Sequence, residues 1–400
     1  MKTVGIVAEY NPFHNGHRYH IEEARRVACA DRVVVIMSGS FVQRGGPACA
    51  DKFKRAEWAI AGGADAVIEL PDVFSLSCAE RFASGAVRIL SGTGIVDCIC
   101  FGSEKGDIEA LKRLSETERD SELFSAVIAE GVSYPRAMEA SSGVSLSPND
   151  ILGVEYLRAV SKFAPRIEPY AIKRIGGGYG DTEPDAEFSS AMAIRNIFLR
   201  YDTMSGMSPS DFDTLSSSLP ENVLKDISEA IGNGVFPASD RELSDAILYR
   251  IRTMTKDEIA SLPEVSEGLE NLFDKYGAAD DYHAMLSGIK SKRYTMARLK
   301  RISMCALLGI DSDLQNSAAE NDEALYARVL AVKNGSEDLL ADICEKATVP
   351  VIVRASDREY LPPLAARVER ISSLAHSVRA LGQPYDKSYT EDSSYRLIVR

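Results

Sequence analysis

Three of the five histidines in this chain, His14, His17 and His20, fall within seven residues near the N-terminus. The string His14-Asn15-Gly16-His17 follows an apolar run, Thr3-Val4-Gly5-Ile6-Val7-Ala8-Glu9-Tyr10, whose composition predicts a buried strand. It precedes Arg18–Ala30, where Tyr19, Ile21, Ala24, Val27 and Ala28 predict a helix. The histidines thus sit where a strand hands over to a helix N-terminus. Unpaired N–H groups and the helix dipole favour a phosphate there. Histidines three apart share a helix face, so both imidazoles can donate to one anion. Gly16 removes a side chain where a nucleotide would approach the backbone. Two such histidines can also be no more than capping or surface groups, so a second chemical feature is needed.

Ser189-Ser190-Ala191-Met192-Ala193-Ile194-Arg195 supplies one. It offers two hydroxyls at a predicted helix start and a guanidinium about one and a half turns on. Ser189 and Ser190 can hold phosphate oxygens, while Arg195 can neutralise a leaving pyrophosphate. Alone, the string also reads as a serine-capped amphipathic helix. Together the two strings predict attack of an oxygen nucleophile on the α-phosphate of a nucleotide, with positioning and charge stabilisation supplying most of the rate. In that scheme His14 and His17 bind the phosphates and stabilise the transition state. Arg195 steadies the pyrophosphate, and a Mg²⁺ ion held mainly by phosphate and water shares the charge.

The elements that must position these groups alternate. Strand-like runs at Arg32–Ser38, Ala64–Leu70, Ile95–Gly102 and Ile167–Ile175 are interleaved with helical patterns at Asp51–Ala61, Cys78–Leu90 and Asp150–Ser161. This predicts an α/β class: a doubly wound, mostly parallel, Rossmann-like sheet over residues 1–200. Ligands in such sheets bind beyond the carboxyl ends of strands at the switch point. The segments Ser38–Gly46, Phe101–Glu104 and Lys173–Gly178 are therefore candidate pocket loops, and Gln43–Pro47 could carry a second substrate or act as a lid. From Tyr201 helical patterns dominate to Ile310, including Glu242–Arg252 and Val265–Lys275. The last ninety residues mix predicted strands at Ala327–Val332, Val349–Val353 and Tyr395–Arg400 with helices at Ser336–Ala347 and Leu364–Ala380. Residues 201–400 are read as a mainly helical RNA-binding domain ending in a small α/β part.

Composition narrows the class. An apolar fraction of 45% and a charged fraction of 26% are ordinary for a globular protein, and no run reaches the length of a membrane span. The short N-terminal apolar run, broken by Glu9, does not read as a signal peptide, so a cytoplasmic protein is expected. Seven scattered cysteines predict reduced thiols and no disulfide framework, with Cys98 and Cys100 as buried small residues and no metal site. A net charge of −13 argues against nonspecific coating of nucleic acid. One local exception is the six basic residues between Lys290 and Arg301, with no acid among them. On a single helix Lys290, Arg293, Arg298, Lys300 and Arg301 would share an arc of about 160° and could grip an RNA backbone.

Asn11-Pro12-Phe13-His14-Asn15-Gly16-His17 resembles the HxGH signature of the HIGH-type nucleotidyltransferases, and Ser189–Arg195 resembles their ISSTxIR motif. Longer strings extend the likeness. They are Gly5–His17, Met37-Ser38-Gly39, Gly63–Pro71, Phe101-Gly102-Ser103-Glu104, Pro148–Gly153 and Ile172-Lys173-Arg174. In this order they resemble the bacterial tRNA(Met) cytidine acetate ligase family. The resemblance implies ATP-dependent activation of acetate to acetyl-adenylate. The acetyl group then passes to N4 of the wobble cytidine in the anticodon loop of elongator tRNA(Met). It also implies ATP contacts from Val7, Ala8, Glu9, Tyr10, Asn11, Pro12, Phe13, His14, Gly16, His17 and His20, with Gly102, Asn149 and Arg174. The chain departs from the pattern at Met192, where a threonine is usual, and at Gly180, where a histidine is expected after Tyr179. The two signatures alone would also permit a small-molecule adenylyltransferase of cofactor biosynthesis, or an RNA-binding protein that holds ATP as a regulatory ligand. A class I aminoacyl-tRNA synthetase fits least, because no KMSKS-like loop is evident.

Overall fold

Apolar alternation in the first strands explains the architecture. In the computed structural model, which describes residues 1–116, 147–174, 189–201, 203–266 and 268–400, Val34 and Ile36 pack on one face of a sheet while Val33, Val35 and Met37 pack on the other. A strand buried on both faces belongs in the middle of a parallel sheet.

The chain runs through β1 (Thr3–Ala8), α1 (Asn15–Val27), β2 (Arg32–Ser38), a small hairpin of β3 (Phe41–Val42) and β4 (Gly46–Pro47), α2 (Lys52–Ala61) and β5 (Ala66–Leu70). It continues with α3 (Asp72–Ser75), α4 (Ala79–Gly92), β6 (Cys98–Ser103), α5 (Ile108–Glu116), α6 (Pro148–Phe163), β7 (Glu168–Lys173) and α7 (Ala191–Phe198). β5, β2, β1, β6 and β7 lie side by side and all parallel. Chain order reverses between β1 and β6, so the switch point lies where His14–His17 and Gly102 leave the sheet. The predicted Ile167–Ile175 strand ends at Lys173, and the part of the glycine-rich segment at 175–178 lies outside the described residues.

The second half supplies α8 (Pro209–Ser218), α9 (Glu221–Gly232), α10 (Ser244–Thr253), α11 (Lys256–Ala260), α12 (Leu269–Tyr276), α13 (Tyr282–Ile289), α14 (Met296–Leu308) and α15 (Ser312–Glu320). The helical reading of this stretch matches these elements. The terminal α/β part, however, does not build a sheet of its own. β8 (Ala327–Val332) pairs antiparallel with β5, and β9 (Val351–Ile352) and β10 (Ile398–Val399) pair parallel with β8, giving one eight-stranded sheet. Between them lie α16 (Glu337–Lys346) and α17 (Pro363–Leu381). The physical reason is visible in β5: without β8 its Glu69 would be a charge at an open edge. In place of water, Glu69 meets Lys52 at 2.6 Å and Arg328 at 3.2 Å, and Asp392 meets Lys52 at 2.8 Å and Arg328 at 2.5 Å. All four side chains are buried, so each charge depends on the others being present.

The basic stretch also differs from its expectation. Thr295 accepts the Arg298 N–H and starts α14 afresh, leaving Lys290 to Tyr294 outside any helix that includes Lys300. Lys290 and Arg293 are exposed. Lys300 meets Asp240 at 2.5 Å, Arg301 is buried against Glu264 at 2.6 Å, and Arg298 donates to the Glu264 carbonyl at 2.9 Å. The single cationic face over these five residues is therefore not formed, because three of them tie α14 to its neighbours.

Candidate functional site

β1 ends at Ala8, and six residues later His14 caps α1, so the helix begins inside the motif and not after it. His14 Nδ1 accepts the Gly16 N–H at 3.0 Å, and His17 Nδ1 accepts the His14 N–H at 3.3 Å. This is a capping box made of two imidazoles. Their rings stack at 3.7 Å between centroids. Because both Nδ1 atoms accept, each ring proton sits on Nε2, and each ring remains a donor while uncharged.

Electrostatics enforce that neutrality. Burial, then the nearby Arg174 and Arg195 guanidinium groups, pull His14 down to about 3. Burial, then His14 and Arg174, hold His17 well below its ordinary value. His20 falls to about 4 through burial and Arg174, opposed by a hydrogen bond to the backbone of Cys100. Thus the structure brings His14, His17, His20, Arg174 and Arg195 into one electrostatic neighbourhood.

The loop between β1 and α1 is held on all sides. Tyr10 takes φ of 48°, and its ring packs edge-on against Phe13 and His17. Asn11 accepts the Cys49 N–H at 2.8 Å through its side chain, and its carbonyl accepts from Arg195. Phe13 lies so close to Gly62 that a Cβ there would come within 2.8 Å of its ring edge. Ser190 caps α7 by accepting the Ala193 N–H at 3.1 Å, and Ser189 accepts from Ser218 at 3.0 Å. Arg195 therefore projects back onto the first motif from the helix that the two serines begin.

Across the switch point, Asn149 donates to Glu104 at 2.5 Å, Ser147 donates to the other Glu104 oxygen, and Arg174 approaches the same carboxylate at 4.0 Å. Arg174 also lies against Gly102, where a Cβ would meet its Cγ at 3.1 Å. Glu104 thus gathers Ser147, Asn149 and Arg174, and Arg174 in turn covers Gly102. Two further groups were missed. Arg55 is fully buried and donates to the carbonyls of Glu9 at 2.7 Å and Ser38 at 3.0 Å, and to that of Gly39. Burial lowers it to about 10, so it stays cationic while clamping the ends of β1 and β2. Arg44, in the hairpin turn, lies within electrostatic reach of Glu9 and Arg195 and is lowered mainly by burial. The turn itself is fixed from both sides: Gln43 N–H donates to Glu9 at 2.8 Å, and Arg301 donates to the Gln43 carbonyl at 3.3 Å. Gly45, at φ of 79°, lets that turn touch α14, where a Cβ would fall 2.7 Å from Lys300 Cβ.

A neutral double donor beside two guanidinium groups, at the N-terminus of a helix, is suited to a polyphosphate. Comparison with known proteins agrees. A family model described as HIGH Nucleotidyl Transferase matches residues 1–391. The chain is 37% identical over 374 residues to the tRNA(Met) cytidine acetate ligase of Acetivibrio thermocellus, covering 89% of both chains. It is 35% identical over 389 residues to the protein of that name from Alkaliphilus metalliredigens, covering 91% of this chain and 89% of the other. The apo crystal structure of Thermotoga maritima TmcAL is similar with a TM-score of 0.90 and 30% identity over the whole of both chains. Its structure with bound alpha-thio ATP gives a TM-score of 0.89, again at 30% identity and full coverage of both. With both motifs meeting at the switch point and these likenesses spanning nearly its full length, the chain belongs to the tRNA(Met) cytidine acetate ligase family of HIGH-type nucleotidyltransferases.

Proposed function

We propose that this chain is an ATP-dependent ligase that activates acetate and transfers the acetyl group to N4 of the wobble cytidine in the anticodon loop of elongator tRNA(Met). The carrying observation is the stacked, uncharged His14–His17 pair with Arg174 and Arg195 beside it. ATP as the substrate nucleotide is supported by the alpha-thio ATP complex of the Thermotoga maritima relative. RNA as the acceptor is supported by the names of the curated relatives.

In the first step an acetate oxygen attacks the α-phosphorus of ATP, the bond to the bridging oxygen breaks, and pyrophosphate leaves. His14 and His17 donate from Nε2 to the phosphate oxygens as charge builds, while Arg195 takes the pyrophosphate charge. Being uncharged, the imidazoles need no proton exchange with solvent as the charge moves. Mg²⁺ held mainly by phosphate oxygens and water would share that charge. In the second step the cytidine N4 attacks the acetyl carbonyl, the mixed anhydride opens, AMP leaves, and the amine loses one proton. Excluding water protects the anhydride between the steps.

The test combines purified protein, ATP and labelled acetate with total tRNA or with none. Acetate-dependent exchange of pyrophosphate into ATP without RNA, and label in RNA when it is present, are the expected results. A small-molecule adenylyltransferase would instead adenylate a phosphorylated metabolite without acetate, and that outcome would replace this reading.

A further inference from the structure

A carboxylate that attacks the α-phosphorus of ATP must arrive opposite the leaving pyrophosphate, and it is held best by a cationic hydrogen-bond donor. The ATP contacts expected at Gly102, Asn149 and Arg174 lie by the ends of β6 and β7, on one side of β1. On the other side, beyond the ends of β2 and β5, stands the β3–β4 hairpin, whose Phe41 N–H donates to Asp72 at 2.7 Å. Arg44 sits at the tip of that hairpin and is half-buried. The turn around it is fixed from three directions. Gln43 N–H donates to Glu9 at 2.8 Å, and Gln43 Nε2 donates to the Ser77 carbonyl at 3.2 Å. Gly45 N–H closes the turn on the Val42 carbonyl at 2.8 Å. A side chain carried on so fixed a turn loses little freedom when it takes a ligand.

The same bonds bring Arg44 to the reacting centre. Glu9 directly follows β1, and two residues on the Asn11 carbonyl accepts from Arg195. The hairpin turn and Arg195 therefore dock on one short stretch of the motif loop, and Arg44 and Arg195 repel each other there. Lys52 and Arg55, also on this side, are fully buried and committed to the fold. Arg55 donates to the carbonyls of Ala50, Glu9, Ser38 and Gly39, and Lys52 lies between Glu69 and Asp392. Charge then selects the occupant. Glu9 lies within electrostatic reach of Arg44 and offsets part of its charge, which suits a monoanion better than a polyphosphate. A carboxylate neutralised only in part also keeps its free oxygen nucleophilic.

We propose that Arg44 binds the acetate carboxylate through one oxygen and presents the other to the α-phosphorus. The proposal rests on the acetate-ligase reading given above. The presented oxygen forms the new bond to phosphorus, and pyrophosphate leaves with the electron pair of the bond that breaks. Arg44→Gln removes the charge, while Arg44→Lys keeps a charged donor. In pyrophosphate exchange Arg44→Gln should raise the KM for acetate at least tenfold, and Arg44→Lys should recover part of the loss. ATP affinity, read by calorimetry, should stay within twofold of the parent in both. Given synthetic acetyl-adenylate and tRNA, both variants should acetylate RNA at the parent rate, because capture of the carboxylate is bypassed. Lost ATP affinity with an unchanged KM for acetate would assign Arg44 to the polyphosphate and overturn the proposal. An unchanged KM with unchanged ATP affinity would overturn it too, as would slow use of acetyl-adenylate by both variants. A parent protein without acetate-dependent exchange would sink the acetate reading itself, whereas exchange that is equal in parent and variants sinks the role of Arg44 alone.

Discussion

In the proposed reaction His14 and His17 donate hydrogen bonds to a polyanion while carrying no charge of their own. Burial disfavours their charged forms first, and repulsion between two rings stacked at 3.7 Å and from the nearby Arg174 adds to it, so the neutral forms win. His17→Ala should therefore lower kcat/KM for acetate-dependent pyrophosphate exchange by about a hundredfold or more, the cost of losing one preorganised donor. Its unfolding midpoint should stay close to that of the parent. Near-normal turnover in the folded variant would remove His17 from the reaction. The same depressed values make stability depend on pH. His14, His20 and the buried His376, which falls to about 4, bind a proton more readily when unfolded. Their contribution is complete above about pH 7 and is lost as pH falls from 6.5 through 4, by at most about 1.4 kcal/mol per pH unit for each. Buried Asp72, raised to about 7 by desolvation and Glu69, works in the opposite sense across the same window. Urea unfolding measured from pH 7.5 to 4.5 should show net destabilisation, and the slope should shrink in His14→Asn.

At the scale of elements, α2 positions the motif loop by packing against it. Gly62 ends α2 directly under Phe13, so Gly62→Ala should push the ring and its loop outward. Overpacking of this kind costs about 1–3 kcal/mol. ATP affinity, measured by calorimetry, should drop at least tenfold although residue 62 is not among the proposed ATP contacts. Unchanged ATP binding would show that the loop tolerates displacement. The elements that the sequence made legible are those with local signals. Apolar runs marked the five parallel strands, and serine before an amphipathic stretch marked α7. The groups that it hid act across long separations. Arg55 looks like one more charged residue of an amphipathic helix, yet it bonds to carbonyls 46 and 17 residues away. Glu104 gathers partners from beyond residue 146. The basic stretch forms no single face because Thr295, a local cap, divides Lys290 and Arg293 from α14. Charge reversal at Lys290 and Arg293 should weaken RNA binding and flatten its salt dependence without altering stability, as read by affinity at several salt concentrations. Arg301→Ala should instead destabilise the fold by about 2–4 kcal/mol, because Glu264 loses its buried partner.

Taken whole, the molecule is one sheet finished by its own C-terminal region, with the helical segment inserted between the fifth parallel strand and β8. Asp392 meets Lys52 across more than 300 residues of sequence and Arg328 across 64. Asp392→Ala should therefore cost about 3–5 kcal/mol, visible in chemical denaturation, while Asp392→Asn should recover only the packing. A protein synthesised from one end makes the Lys52–Glu69 pair long before Arg328 and Asp392, which complete the buried cluster around it, exist. On the ribosome, the first two hundred residues would hold an incomplete ionic cluster and a bare β5 border, and the nucleotide loop tied to α2 would share that instability.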